Sequence, residues 1–253
     1  MSTQTKTETE TVGVKWILAV AVIAVVVVGG LCLKRPVEGA FWATASRMKR
    51  DTTVEQRLNQ CGQKARARLA PGFGAAGVAY PPERVVFVGI KQDRTFEVWA
   101  GQGDGPLRRI TTYPILGASG HLGPKLQEGD RQVPEGIYRI ESLHPNSWFH
   151  LALRVGYPNE FDKRHGQEDG REHLGGDIMI HGGSGSVGCV AVGDDAAEDL
   201  FVLAADTGIE NITLILTPVD FRAQEKPESE HPLPPWSDTL YADIRHELAA
   251  LEP

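Results

Sequence analysis

Asp177-Ile-Met-Ile-His-Gly-Gly-Ser-Gly-Ser-Val-Gly-Cys-Val-Ala191 holds a histidine, a cysteine eight residues later and four glycines between them. Met179 and His181 fall on one face of a short predicted strand, Ile178 and Ile180 on the other. The glycines permit a tight, left-handed backbone, so the chain can fold back beside its own strand and carry Cys189 to His181. A thiol beside an imidazole is the simplest route to a thiolate nucleophile near neutral pH. Backbone N–H groups at such a turn can form an oxyanion hole, and the start of the helix predicted after Cys189 favours a thiolate. His181 as a base needs its second ring nitrogen oriented by a backbone carbonyl, which the sequence does not name. The competing readings are a cysteine that only fills core space and a structural histidine at a strand end. Ser184 and Ser186 lack the Gly-x-Ser-x-Gly elbow of a serine hydrolase. His165, Glu168, Asp169, Glu172, His173, Asp177 and His181 crowd one region, but their spacing matches no zinc pattern and reads as a solvated loop.

Outward from this stretch the pattern is strand-like. Residues 84–90 predict a buried strand and 95–99 its hairpin partner across Gln92-Asp93. Further strands are expected at 113–120, 136–141, 148–153, 178–181 and 211–217, with 160–176 as a charged loop. Many short strands joined by Gly/Pro turns predict a mainly β domain, a sandwich or barrel core with a few appended helices. One helix follows the cysteine, capped by Asp194 or Asp195 and closed by Gly208. Another is expected over 51–69, N-capped by Asp51 and ended by Pro71-Gly72, as a stalk or packed on the domain. Residues 223–235 are Pro/Glu-rich and extended. A last helix, capped by Ser237, carries Leu240, Ile244, Leu248 and Leu251 on one face.

The 253 residues allow one sizeable core plus attachments. Net charge is −7, unevenly placed: residues 1–70 carry 11 Lys+Arg against 5 Asp+Glu, the remainder 15 against 28. The acidic body argues against a nucleic-acid partner, and the basic portion flanks an apolar run, where lipid headgroups are the natural neighbour. That run, Trp16–Leu33, is 18 residues without a charge, about 27 Å of helix, and is expected to be a single-pass anchor. Cleavage at Ala43-Thr-Ala45, as a signal sequence, is the alternative. Lysines and arginines on both sides leave its orientation open, with a slight lean to a cytoplasmic C-terminus. Cys32, Cys61 and Cys189 make an odd count and no disulfide framework.

His181-Gly182 followed by Ser186-x-Gly188-Cys189 resembles the signature of the YkuD-type L,D-transpeptidase catalytic domain. Glu128-Gly-Asp-Arg-Gln-Val-Pro-Glu-Gly-Ile-Tyr138 resembles the family's Gly-Asp…Thr-Pro-x-Gly-x-Tyr segment, with Val133 where threonine is usual. Asn146-Ser147, Gly156-Tyr-Pro-Asn159, Asp162 and the short His-to-Cys spacing are similar to the YafK-like branch. So is Ala191, where many members carry an arginine. The resemblance covers about 84–217. It implies a cysteine enzyme acting on diaminopimelate-containing peptidoglycan stem peptides, with Cys189 as nucleophile and His181 as proton donor and acceptor. The N–H groups of Gly188 and Cys189 would hold the oxyanion, and Gly182, Ser186, Tyr157 and Asn159 become candidate substrate contacts. No metal or organic cofactor is implied. The branch is associated with hydrolysis of the murein–lipoprotein link as well as with transpeptidation, and a non-catalytic wall-binding module is the remaining alternative. Peptidoglycan lies outside the cytoplasmic membrane, so the resemblance implies a cytoplasmic tail (1–15), an anchor (16–33) and a linker with stalk helix (34–80). The catalytic domain (84–217) and C-terminal crossing and helix (218–253) would then lie in the periplasm.

Overall fold

The computed structural model describes residues 52–251. The apolar run 16–33, Cys32 and Asp51 lie outside them. Among the described residues no helix is long and apolar enough to cross a membrane.

Nine strands form one mixed sheet: β1 (Arg84–Ile90), β2 (Thr95–Gly101), β3 (Arg108–Pro114), β4 (Gly117–Ala118), β5 (Gly136–Ser147), β6 (His150–Val155), β7 (Met179–His181), β8 (Val190–Ala191) and β9 (Ile212–Thr217). Their order is β3-β2-β1-β9-β5-β6-β7-β8-β4, with β1–β9 and β7–β8 parallel. Strand β5 joins the two halves. Its residues 136–139 pair with β9, and from Ile140 onward it pairs with β6 through two register irregularities. Such irregularities bend a strand and raise its twist. The two halves consequently share one core: Phe87 and Phe96 of the first, with ring centroids 5.7 Å apart, cluster with Leu151, Leu153 and Ile180 of the second. The mainly β expectation holds. The barrel form does not, because β3 and β4 end the sheet without pairing to each other.

Helix α1 (Val54–Ala76) begins at a capping box, with Gln56 N–H donated to Thr53 Oγ1 and Thr53 N–H to Gln56 Oε1. It runs through Pro71-Gly72, where the sequence predicts its end. Proline costs an interior helix about 3 kcal/mol, but here tertiary packing outweighs it. Ala65, Leu69 and Phe73 are buried, and Gly72 lies so close to β3 that a Cβ would stand 2.2 Å from the Ile110 carbonyl oxygen. Arg66 grips Asp206 through two 2.7 Å hydrogen bonds, and Arg68 reaches Asp199 at 2.8 Å. The helix is therefore part of the domain and not a free stalk.

Helix α2 (Glu160–Glu168) occupies a segment expected to be loop. Its signal was local: Asn159 and Asp162 form a second capping box, which an apolar-periodicity reading passes over in so polar a stretch. Helix α3 (Asp194–Thr207) follows β8 and closes at Gly208 as expected, but Gly193 is its N-cap and neither aspartate caps it. Helix α4 (Ser237–Ala249) docks its stripe of Leu240, Ile244 and Leu248 on Val88, Ile90 and Ile215 on the other face of the sheet. Trp236, not Ser237, is its N-cap.

Asp162 is a buried carboxylate whose pKa is pushed up to about 6, chiefly by burial, against hydrogen bonds from the Asn159 N–H and Tyr138. Because the folded value lies above the ordinary 3.8, the folded state binds more protons, and stability falls as pH rises through that interval. Asp162→Asn retains the acceptor for the Asn159 N–H and removes the charge. Thermal melts of the pair are expected to coincide near pH 4 and to favour the variant at pH 8, by roughly 1–3 kcal/mol.

Candidate active site

The sheet carries the histidine at the end of β7 and the cysteine immediately before the neighbouring strand β8. In the parallel β7–β8 pair, Ile180 lies opposite Val190 and His181 opposite Ala191. That register brings Cys189 level with Met179, two residues along from His181. The loop 182–188 makes the return with Gly183 (φ +68°) and Gly188 (φ +86°) in left-handed backbone, a conformation costly for any residue with a Cβ. Gly182 is glycine for a different reason. Its φ is not left-handed, but a Cβ there would stand 2.7 Å from the Phe149 carbonyl oxygen and 2.5 Å from Asp194 Oδ1.

The orienting carbonyl is that of Gly182. His181 Nδ1 lies 2.6 Å from the Gly182 oxygen, so this nitrogen carries the proton and donates it, leaving Nε2 as the basic atom. His181 is 2% exposed, and Phe149 stacks on its ring at 4.5 Å and 25°. Burial lowers the His181 pKa, partly opposed by the Gly182 carbonyl, so the imidazole is neutral at neutral pH. Burial also raises the Cys189 thiol, against a hydrogen bond from the Met179 N–H, and the Asp177 carboxylate raises it further. The Cys189 S–H points to the Asp177 carbonyl at 3.8 Å. The resting pair is a neutral thiol and a neutral imidazole, not the helix-stabilised thiolate expected from sequence. Helix α3 starts five residues after Cys189 with two aspartates in its first turn, which counter its dipole.

Several loop contacts were not legible in the sequence. Gly188 donates its N–H to Ser119 Oγ at 2.7 Å, and Ser119 donates its hydroxyl to the Arg131 carbonyl at 2.7 Å. Of the two N–H groups expected as oxyanion donors, that of Gly188 is thus engaged by Ser119. Asp194, read as a helix cap, instead accepts the Gly183 N–H at 2.8 Å. The sequence predicts a strand that begins at Trp148 and contains Phe149. In fact Trp148 and Phe149 form the exposed tip of the β5–β6 hairpin, 67% and 50% accessible. Two adjacent large aromatics before Leu151 were the available signal. The tip is tied to α1 and α3: Arg57 Nε donates to the Pro145 carbonyl (2.8 Å), Asn146 Nδ2 to the Thr52 carbonyl (2.7 Å), and His150 Nε2 meets Glu198 at 3.0 Å.

Of the other expected site residues, Ser186 donates its hydroxyl to the Cys189 carbonyl at 2.6 Å and braces the loop. Tyr157 and Asn159, expected as substrate contacts, are both hydrogen-bonded within the fold. Tyr157 is buried, with its hydroxyl 3.1 Å from the Leu174 carbonyl, while Asn159 caps α2 and donates Nδ2 to the Ile137 carbonyl at 2.9 Å. A cleft of about 750 Å³ opens beside Asp177, Val187 and Gly188. A second, of about 650 Å³, lies across the loop beside Gly183, Ser184 and Leu116.

Gly182→Ala tests the packing argument. Asp194 can rotate away from a new methyl group, but the Phe149 carbonyl is backbone, so the hairpin tip must shift and take Phe149 off His181. Overpacking of this kind costs about 1–3 kcal/mol, and an ångström of displacement at reacting groups about 10²-fold in rate. Both losses are expected, in thermal melts and in the rate of thiol-dependent turnover; a variant with wild-type values for both would contradict the packing account.

Residues 83–215 match the YkuD family, the L,D-transpeptidase catalytic domain. Among curated proteins the chain is 34% identical over 114 residues to "Putative L,D-transpeptidase YafK" of Escherichia coli strain K12, and equally to that of strain O157:H7. Those alignments cover 44% of this chain and 44% of the relative, so the matched region is less than half the length of either. Among solved structures, it is similar to the helical cell shape determining protein Pgp2 of Campylobacter jejuni, with a TM-score of 0.43 and 21% identity over 56% of this chain and 50% of that one. It is also similar to L,D-transpeptidase 1 of Mycobacterium tuberculosis, with a TM-score of 0.31 and 19% identity over 53% and 62%.

Proposed function

Since this chain belongs to the YkuD family of L,D-transpeptidase catalytic domains and is similar to its YafK-like branch, we propose that it is a cysteine acyltransferase acting on diaminopimelate-containing peptidoglycan stem peptides. The observation that carries the reading is the tautomer of His181. With Nδ1–H spent on the Gly182 carbonyl, Nε2 is a neutral base on the strand beside Cys189.

The proposed sequence begins as the donor peptide enters and Nε2 takes the Cys189 proton. The thiolate attacks the carbonyl of the diaminopimelate residue. The Cys189 N–H, with that of Gly188 once Ser119 releases it, supports the tetrahedral oxyanion. The C–N bond breaks, the leaving amine takes its proton from His181, and a thioester remains on Cys189. An acceptor amine then attacks the thioester and gives a proton to Nε2; the C–S bond breaks, a new amide forms, and His181 returns the proton to the departing Cys189 sulfur, while water in place of the amine gives the free acid. Transpeptidation and hydrolysis, including cleavage of a murein–lipoprotein link, share every step up to the thioester. The proposed setting is the periplasmic side of the cytoplasmic membrane, held there by residues 16–33.

The test is to incubate the full-length chain in detergent with purified sacculi and with lipoprotein-linked muropeptides, and to identify the products by mass spectrometry. New 3–3 cross-links support transfer; released diaminopimelate-bearing fragments without new links support hydrolysis. Unchanged sacculi and muropeptides would overturn the proposal.

A further inference from the structure

The 750 Å³ cleft beside the catalytic loop contains a cation that the fold does not use. Of the basic residues lining it, Lys125 is paired with Asp130 at 2.6 Å, Lys163 with Glu160 at 2.7 Å, and Arg154 with Asp177 and Glu141. Arg131 lines the same cleft, is exposed, and has no carboxylate partner among the described residues. Its backbone is also unusual: φ is +58°, left-handed for a residue with a long side chain.

The surrounding turn holds Arg131 in that conformation. The Asp130 carboxylate accepts the N–H groups of Leu126, Gln127 and Gln132, and the Arg131 carbonyl is fixed by Ser119 Oγ. The same hydroxyl accepts the Gly188 N–H, so one oxygen atom links Arg131 to the residue before Cys189. The two backbones approach closely, for a Cβ on Gly188 would stand 3.4 Å from the Gln132 carbonyl oxygen and 4.0 Å from the Arg131 carbonyl carbon. A glycine would satisfy this turn without strain, whereas an arginine held in a sparsely populated conformation beside the loop that carries Cys189 is a candidate functional group.

We infer that this cleft is a carboxylate-binding subsite whose reading cation is Arg131, taking the free carboxylate of the diaminopimelate side chain of the acyl donor. The inference rests on the proposed acyl transfer. A guanidinium suits a carboxylate because it offers two parallel N–H donors, and in a cleft that pairing is stronger than on an open surface. Glu128 and Glu172 line the same cleft and complement the ammonium group beside that carboxylate. Arg131 acts on substrate selection; Cys189 and His181 retain the chemistry.

The test compares the full-length wild type, Arg131→Gly and Arg131→Lys on two donor stem peptides, one with the diaminopimelate carboxylate free and one with it amidated. Wild type is expected to prefer the free acid. Arg131→Gly is expected to lower kcat/KM on the acid by about 10–100-fold, mainly through KM, so that the acid-over-amide preference falls to near one. Arg131→Lys is expected to restore part of it. The melting temperature of Arg131→Gly is not expected to fall, since backbone strain is relieved. Protection of Cys189 from alkylation by each peptide supplies a readout that does not require turnover. If wild type turns over neither peptide but the acid protects Cys189 in an Arg131-dependent way, the acyl-transfer reading fails and the subsite stands. A preference and a protection that Arg131→Gly leaves intact would overturn the inference, as would an equal loss on both peptides.

Discussion

Cys189→Ala is expected to lower turnover of peptidoglycan peptides by at least about 10⁴-fold, the scale seen when a covalent nucleophile is removed. No other side chain can replace it in place. Ser184 and Ser186 lie on the same loop, but Ser186 spends its hydroxyl on the Cys189 carbonyl. The fold is expected to survive, because the sulfur's polar contacts are weak, the Asp177 carbonyl at 3.8 Å and the Met179 N–H, and the residue is half-buried. A melting curve close to wild type with turnover abolished is the expected pair of results. Retained turnover in Cys189→Ala would make the protein an enzyme with another nucleophile, and a wild type without turnover would leave it a wall-binding module.

His181→Gln is expected to cost about 10²–10⁴-fold in turnover, the usual contribution of a positioned acid–base group. The pH profiles distinguish its role from mere packing. In wild type, burial holds the imidazole below its ordinary 6.5, so the base stays unprotonated and the acid limb of the profile falls below that value. In the variant that limb disappears. The residual rate then climbs only as the thiol itself ionises, and burial sets that above the ordinary 9.0. Alkylation of Cys189 reports the second effect directly, since it follows the thiolate fraction. A variant that kept the wild-type acid limb would remove His181 from the proton path.

The legible part of the site was the part written in one stretch. His181, the glycines and Cys189 are local in sequence, and the strand–loop–strand geometry follows from their spacing. The sheet core was legible for the same reason, since β1, β2, β5, β6, β7 and β9 each contain residues of a predicted strand. What could not be read depends on contacts across the chain. Phe149 reaches His181 only because β6 pairs with β7, and Ser119 reaches Gly188 only because β4 pairs with β8. Helix α1 crosses a proline because Ile110, far along the chain, comes against Gly72. A motif also names residues without saying which way they face, and the hydrogen bonds of Tyr157 and Asn159 run into the fold. The sign of the cysteine shift was misread, since burial outweighs any help from a helix that begins with two aspartates.

The most direct test of the account is the intact mass of the full-length protein during turnover of a diaminopimelate stem peptide, followed by digestion. The account predicts a covalent adduct equal to the donor less its leaving amine. It should be located on the peptide containing Cys189, be released by neutral hydroxylamine and be missing in Cys189→Ala. Turnover with no such adduct at any time point, or an adduct that persists in Cys189→Ala, would contradict it.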